Sequence, residues 1–456
     1  MNDIQKNHIT EFLRNSHFVK VLLIGFLVLL FQIPIAKIKG VIEEREQTRE
    51  EAINEVTSKW GKSQMLTGPS LIIPYVDGSA QSSNRRQSQS NIAYATFLPE
   101  SLKISGTLDS QLLYRGIYKI PVYTMLLEIR GIFKAPDFSE WTIDAENILW
   151  DRAYLSLQVT DAWAITKSPS LSWNNKELNF LPGAGEFGDN QQGLHVKMGD
   201  LLKGDKFNFS FSMELNGSVG AFFVPFGRDT EIQLSSDWES PSFQGTWLPT
   251  NRTVNSDGFK ATWSVPFLSR NYPQKWLSSS EPENAIKSSG FGIEMISPVD
   301  HYRMSERSVK YQILFLVLTF ATLWLFEVLA KIRVHPIQYL LIGSGMCLFY
   351  LLELSLAEHL GFVQAYSLAS AAIVVLVASY SAAVLKARKR AIIVGSVVTL
   401  LYIYLYILLM IEDYALLAGS IGLFVALAAI MFLTRKVDWY SLTDTVISKA
   451  QINEEH

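Results

Sequence analysis

The chain has 456 residues, a formal net charge of -3 and hydrophobic side chains at 48% of positions, with a mean hydropathy of +0.16. The near-neutral charge, with no basic stripe and no interleaving of arginines with aromatics in its polar part, excludes nucleic acid as a partner. Its single cysteine, Cys347, sits in an apolar run, which excludes an intrachain disulfide and a cysteine-based zinc site; neither a metal nor a cofactor is expected.

The mean hydropathy averages two unlike regions. Residues 1–17 form a short polar N-terminus, and residues 18–38, "FVKVLLIGFLVLLFQIPIAKI", match the roughly 20 apolar residues that cross a bilayer. No small-x-small cleavage site follows, and an acid-rich stretch continues directly, so the run is expected to be an uncleaved anchor and not a signal peptide. Residues 39–61 predict a juxtamembrane helix with Glu and Arg three or four positions apart. From 62 to 305 the pattern turns short and alternating: "SLIIPYV", "NIAYATFLP", "LLYRGIYKIPVYTMLLEIRGIF", "DRAYLSLQVTDA", "FNFSFSMELNGS", "TEIQLSSDW" and "GFKATWSVPF" read as strands bounded by Gly, Pro, Asn and Asp turns. Five further apolar runs, 309–330, 337–354, 361–385, 391–411 and 414–433, form a bundle over 309–434, and residues 435–456 are a C-terminal tail.

Charge in the short loops sets the expected orientation. Lys331 and Arg333 follow the second run, "KARKR" follows the fourth, and Arg435 and Lys436 follow the sixth, whereas "AEHLGF" and "IEDY" carry no Lys or Arg. Both termini are therefore expected in the cytoplasm and the β region in the periplasm. Lys37 and Lys39 run against this, although Lys6, Arg14 and Lys20 lie on the inner side of the first span. The expected fold is a polytopic α-helical membrane protein of about six spans, with a large mainly-β, antiparallel, sandwich-like extracytoplasmic domain inserted between spans 1 and 2. A cut into two domains within 181–196 stays open.

Motifs for chemistry are sparse. No H-E-x-x-H occurs, and "WGKSQ" has Val56 where a phosphate-binding loop needs its first glycine. "AGSIG", residues 418–422, lies in the sixth span, where a nucleophile elbow has no strand to start from, and reads as helix packing. Asp144 with Glu146 and Asp229 with Glu231 are carboxylate pairs that a glycosidase could use; solvated strand ends explain them as well. Nine of the eleven tryptophans, Trp60 just before the β region and eight within it, fall in the outward part, either as core or as platforms for sugar rings. Glu327 and Glu353 are the candidate intramembrane polar residues; the plainer reading has both near an interface, reaching water.

Five strings, "FEVLAKIRVHPIQYLLIGSGMCLFYLLELSLAEHLGF", "MFLTRKVDWYSL", "RGIYKIPVY", "SSDWESPSFQGTWLP" and "PVDHYRMSERSVKY", resemble the CreD family of cell-envelope-integrity proteins, and the likeness runs from "GPSLIIP" to "DWYSL". The resemblance implies a multi-pass inner-membrane protein with a large periplasmic insert. It also implies expression in an envelope-stress or carbon-source two-component response, tolerance of colicins or β-lactams, and no known catalytic residue. The expected function is accordingly non-enzymatic: support of envelope integrity and stress tolerance, with the β domain binding an envelope component. Besides the lipid bilayer, the candidate partners are peptidoglycan, lipid or another envelope protein. Arg115, Trp238 and Phe243 are candidates for the outward surface, and His335, Gln338, Asp438, Trp439 and Tyr440 for an inner-face contact. A transporter or flippase using the five-span bundle is the alternative, and a glycan-active periplasmic enzyme a third reading.

Overall fold

The structure, a computed structural model, describes residues 17–77, 92–185, 192–295, 301–330, 334–385, 387–411 and 414–435. It divides into two compact units, Glu50–Pro298 on one side and Met1–Arg49 with Val299–His456 on the other.

The first unit is mainly β, with two sheets of nine strands each among the described residues. Strict alternation makes its long strands. Strand Lys206–Ser218 buries Phe207, Phe209, Phe211, Met213 and Leu215 and leaves the residues between them on the other face, so each inward ring contributes about 1.5–3 kcal/mol of burial. Strand Ser101–Arg115 does the same with Leu102, Ile104 and Leu108. The two sheets feed one apolar cluster: Ile104, Phe207 and Trp263 come from one, Leu71, Leu155, Phe223 and Phe291 from the other. In strand Gln64–Val76 eight consecutive residues are buried, the mark of a strand covered on both faces.

Two pairings depart from the antiparallel expectation. Strand Ser101–Arg115 lies parallel to Asp229–Ser236, and Gln64–Val76 parallel to Gly220–Phe223. Alternation specifies which face of a strand is buried and carries no sign for its direction, so pairs joined by more than a hundred residues are invisible to it. The string 112–133 also resolves into two strands, Ser101–Arg115 and Tyr118–Lys134, which turn at Gly116 with φ +59, a conformation that glycine adopts without steric cost. Strands Leu181–Pro182 and Gly193–Lys197 pair with each other across the 181–196 stretch.

Helix Gln32–Trp60 ends where Gly61 takes φ +135 and a side chain would meet Asn216 O at 2.6 Å. Trp60 Nε1 donates to Tyr123 O at 3.2 Å, and the buried Asp161 accepts from the Lys62 N–H at 2.8 Å, so the first residues after the helix are tied to the sheet.

The second unit is helical. Among the described residues six helices are long and apolar enough to cross a membrane: Val19–Trp60, which includes helix Gln32–Trp60, and Gln312–Leu329, Pro336–Leu360, Phe362–Val384, Arg388–Met410 and Ala415–Thr434. Small residues set their closest approaches. A side chain at Gly343 would lie 2.3 Å from the Phe31 ring, and Gly422 admits the Tyr404 ring, whose hydroxyl donates to Ala418 O at 2.6 Å. The "AGSIG" string is therefore a packing element. Phe349 is central to an aromatic cluster with Tyr366 at 5.4 Å and Tyr402 at 4.6 Å. The short helix His301–Lys310 precedes the second apolar helix.

Candidate functional site

Helix His301–Lys310 turns Tyr302, Ser305 and Ser308 inward, three residues apart and so on one face. This is an inverted amphipathic helix, with hydroxyls on its buried side. Ser305 Oγ donates to Glu353 Oε1 at 2.9 Å, and Glu353 is 0% exposed. Its Oε2 has no hydrogen-bond partner among the described residues, and neither does Ser308 Oγ, although Ser308 is directed at the same carboxyl. Each such orphan costs about 1–3 kcal/mol. Further along, Tyr302 donates to Glu358 Oε1 at 3.0 Å, with the Arg45 guanidinium 3.8 Å from the same oxygen. The Gln312 amide donates to Gln32 Oε1 at 2.7 Å. These residues are polar groups within a mainly apolar unit, and Glu353 is the carboxylate among them that keeps an unpartnered oxygen among the described residues. The structure thus brings Glu353 together with two serines that sequence reasoning missed, since the expected β region runs to 305 and the next apolar run starts at 309, which leaves no place for helix His301–Lys310.

Glu327 does not reach water either: it is 3% exposed. It pairs with Lys20 of the first helix, accepts from the Val334 N–H at 3.3 Å and lies 3.5 Å from the Tyr339 hydroxyl. Both ions of this pair find a partner, so Glu327 reads as a clamp between helices. His335 and Gln338 form a capping box: His335 Nδ1 accepts from the Ile337 N–H at 3.3 Å and Gln338 Oε1 from the His335 N–H at 2.9 Å. Pro336 then opens the helix, where its missing N–H is no loss. Asp438, Trp439 and Tyr440 lie outside the described residues.

In the β unit, Arg115 forks onto Glu55, with both guanidinium contacts at 2.9 Å. Trp238 is half-buried and donates its indole N–H to Ser240 O at 3.1 Å. The Phe243 ring stands edge-on to Phe259 and Trp263 at 6.0 and 5.9 Å, with Arg252 over its face. Trp173, Trp263 and Trp276 are core residues, while Trp150 and Trp163 are exposed.

The outer face of the sheet that holds strands Ser101–Arg115 and Lys206–Ser218 carries a feature that no motif signalled. Strand register aligns Lys103 with Arg130, Arg130 with Ser210, and Ser210 with Ser172, one row across four strands. That row lines a depression of about 370 Å³ with Ser101, Asn175 and Asn208. Lys103 also pairs with Glu231 at 3.0 Å, and its hydrogen bond, followed by that of Gln233, holds the Glu231 carboxyl below the usual carboxylate range. Glu231 is thereby engaged as a counter-ion. Among the described residues no three His, Cys, Asp or Glu side chains converge to hold a metal.

The family model described as "Inner membrane protein CreD" matches residues 16–440. The chain is similar to "Inner membrane protein CreD" of Escherichia coli (strain K12), 33% identical over 438 residues that cover 94% of this chain and 95% of the relative.

Proposed function

Because the chain belongs to the CreD family of inner membrane proteins, we propose that it supports the integrity of the cell envelope under stress, without catalysing a reaction. In this reading the β unit is an extracytoplasmic, sandwich-like domain inserted between spans 1 and 2, both termini are cytoplasmic, and the domain holds an anionic, hydroxyl-rich envelope component. The observation that carries it is the Lys103–Arg130–Ser210–Ser172 row: a cationic fork beside hydroxyls and amides suits phosphate- or carboxylate-bearing glycans. Glu231 neutralises Lys103, which leaves Arg130 as the principal contact.

Arg130→Glu in the full-length protein in lipid nanodiscs is expected to weaken binding of anionic peptidoglycan fragments about tenfold, the loss of roughly 1.4 kcal/mol, and to abolish rescue of a deletion strain under envelope stress. Lys119→Glu, an exposed change elsewhere on the same unit, should do neither. Equal binding by Arg130→Glu and the unaltered protein would exclude this site. Orientation has its own test. Cys347 is the only cysteine and is buried, so a new cysteine at exposed Thr253 reports alone. It should react with a membrane-impermeant maleimide in intact spheroplasts; reaction only after lysis would place the β unit inside.

A further inference from the structure

We infer that Glu353, Ser305 and Ser308 form a binding site for a small monovalent cation, H⁺ or Na⁺, within the helical unit. The inference is independent of what the β unit holds. Its basis is an incomplete set of oxygens. Glu353 and Ser308 are both 0% exposed, and each keeps one oxygen that accepts or donates nothing among the described residues. Ser305 Oγ, 2.9 Å from Glu353 Oε1, already fixes the carboxyl's orientation.

Among the described residues no cation pairs with Glu353. Arg307, on the serine helix, places its guanidinium against Leu408 O at 3.2 Å, and Arg45 lies by Glu358. Among the described residues, the other titratable groups that interact with Glu353 are phenols, ordinarily neutral: Tyr350 on its own helix, Tyr366 on helix Phe362–Val384 and Tyr402 on helix Arg388–Met410. A buried carboxylate without a counter-charge is costly, and a small cation removes that cost in either of two ways. A proton on Oε2 creates an O–H that donates to Ser308 Oγ. A sodium ion takes Oε2 and both serine hydroxyls as hard oxygen ligands. Replacing either serine by an apolar residue would leave the carboxyl oxygen with nothing to share.

The test uses dicyclohexylcarbodiimide, an apolar reagent that modifies protonated carboxyl groups in hydrocarbon surroundings, on the full-length protein in nanodiscs with peptide mass spectrometry as readout. Glu353 should be modified, and Glu353→Gln should lose that modification alone. If Na⁺ is the ligand, labelling falls about tenfold at a concentration ten times its dissociation constant, while K⁺ at equal strength does nothing. If H⁺ is the ligand, labelling ignores Na⁺ and disappears as pH rises. Ser308→Ala, which keeps the carboxyl, should shift the midpoint of whichever titration is seen. Absence of Glu353 labelling, labelling indifferent to both Na⁺ and pH, or an unmoved midpoint in Ser308→Ala would each overturn the inference.

Discussion

Trp263→Ala is expected to destabilise the β unit by about 3–5 kcal/mol, the range for emptying a large aromatic site in a packed core. Trp263 is 1% exposed and lies where the two sheets meet. It belongs to strand Gly258–Pro266 of one sheet, and its ring lies 5.8 Å from Phe291 and 5.9 Å from Phe243 on the other. Its indole N–H donates to Trp247 O at 3.1 Å, so truncation also orphans a carbonyl. Collapse does not fill the space, because neighbouring strands hold their register on both sides: Ile232 is paired to Trp263 itself and Asn251 to Thr262. Trp163→Ala, at a site 51% exposed, should cost under about 0.5 kcal/mol, as surface changes do. Urea unfolding of the full-length protein in detergent, followed by near-ultraviolet circular dichroism, measures both. A Trp263→Ala loss below 1 kcal/mol would show that the sheets do not share the core described above.

The contrast between these tryptophans also marks what the sequence could convey. Composition and period identified the helices and strands, because a run of apolar residues and an alternation of period two are local signals. "KFNFSFSMEL" declares its buried face without reference to any other strand. The partners of that strand are a different matter. Arg130 and Ser172 become neighbours of Ser210 only through register across separate strands, and no local pattern encodes it. Glu353 was legible as an acid in an apolar run, since its cost in hydrocarbon is a property of the residue alone. Its serines were hidden, because the expected β region to 305 and the apolar run from 309 leave no place for the short helix that carries them. Glu327 shows the same limit: Lys20, its counter-ion, is 307 positions away.

Arg270→Met should cost about 2–4 kcal/mol, a second large loss with a different cause. Arg270 is 7% exposed, and among the described residues no carboxylate pairs with it. Burial accordingly pulls its pKa below the usual arginine value, with Tyr272 opposing the shift. Its Nη1 donates to Pro225 O at 3.0 Å and Phe226 O at 3.2 Å, and Nη2 donates to Gln274 Oε1. The guanidinium also lies over the Tyr272 ring at 4.7 Å, worth about 0.5–2 kcal/mol when desolvated. Methionine restores much of the volume and removes the cost of burying a charge, which argues for a small effect. The carbonyls decide the balance. Pro225 O keeps a donor in the Tyr272 hydroxyl at 3.0 Å, but the substitution takes from Phe226 O and Gln274 Oε1 the guanidinium donors described here. Arg270→Lys should recover only part of the loss, because one ammonium cannot reproduce the planar fork that reaches three acceptors. The same urea experiment reads both variants. Stability of Arg270→Met within about 0.5 kcal/mol of the unaltered protein would mean that the buried cation contributes nothing to the fold.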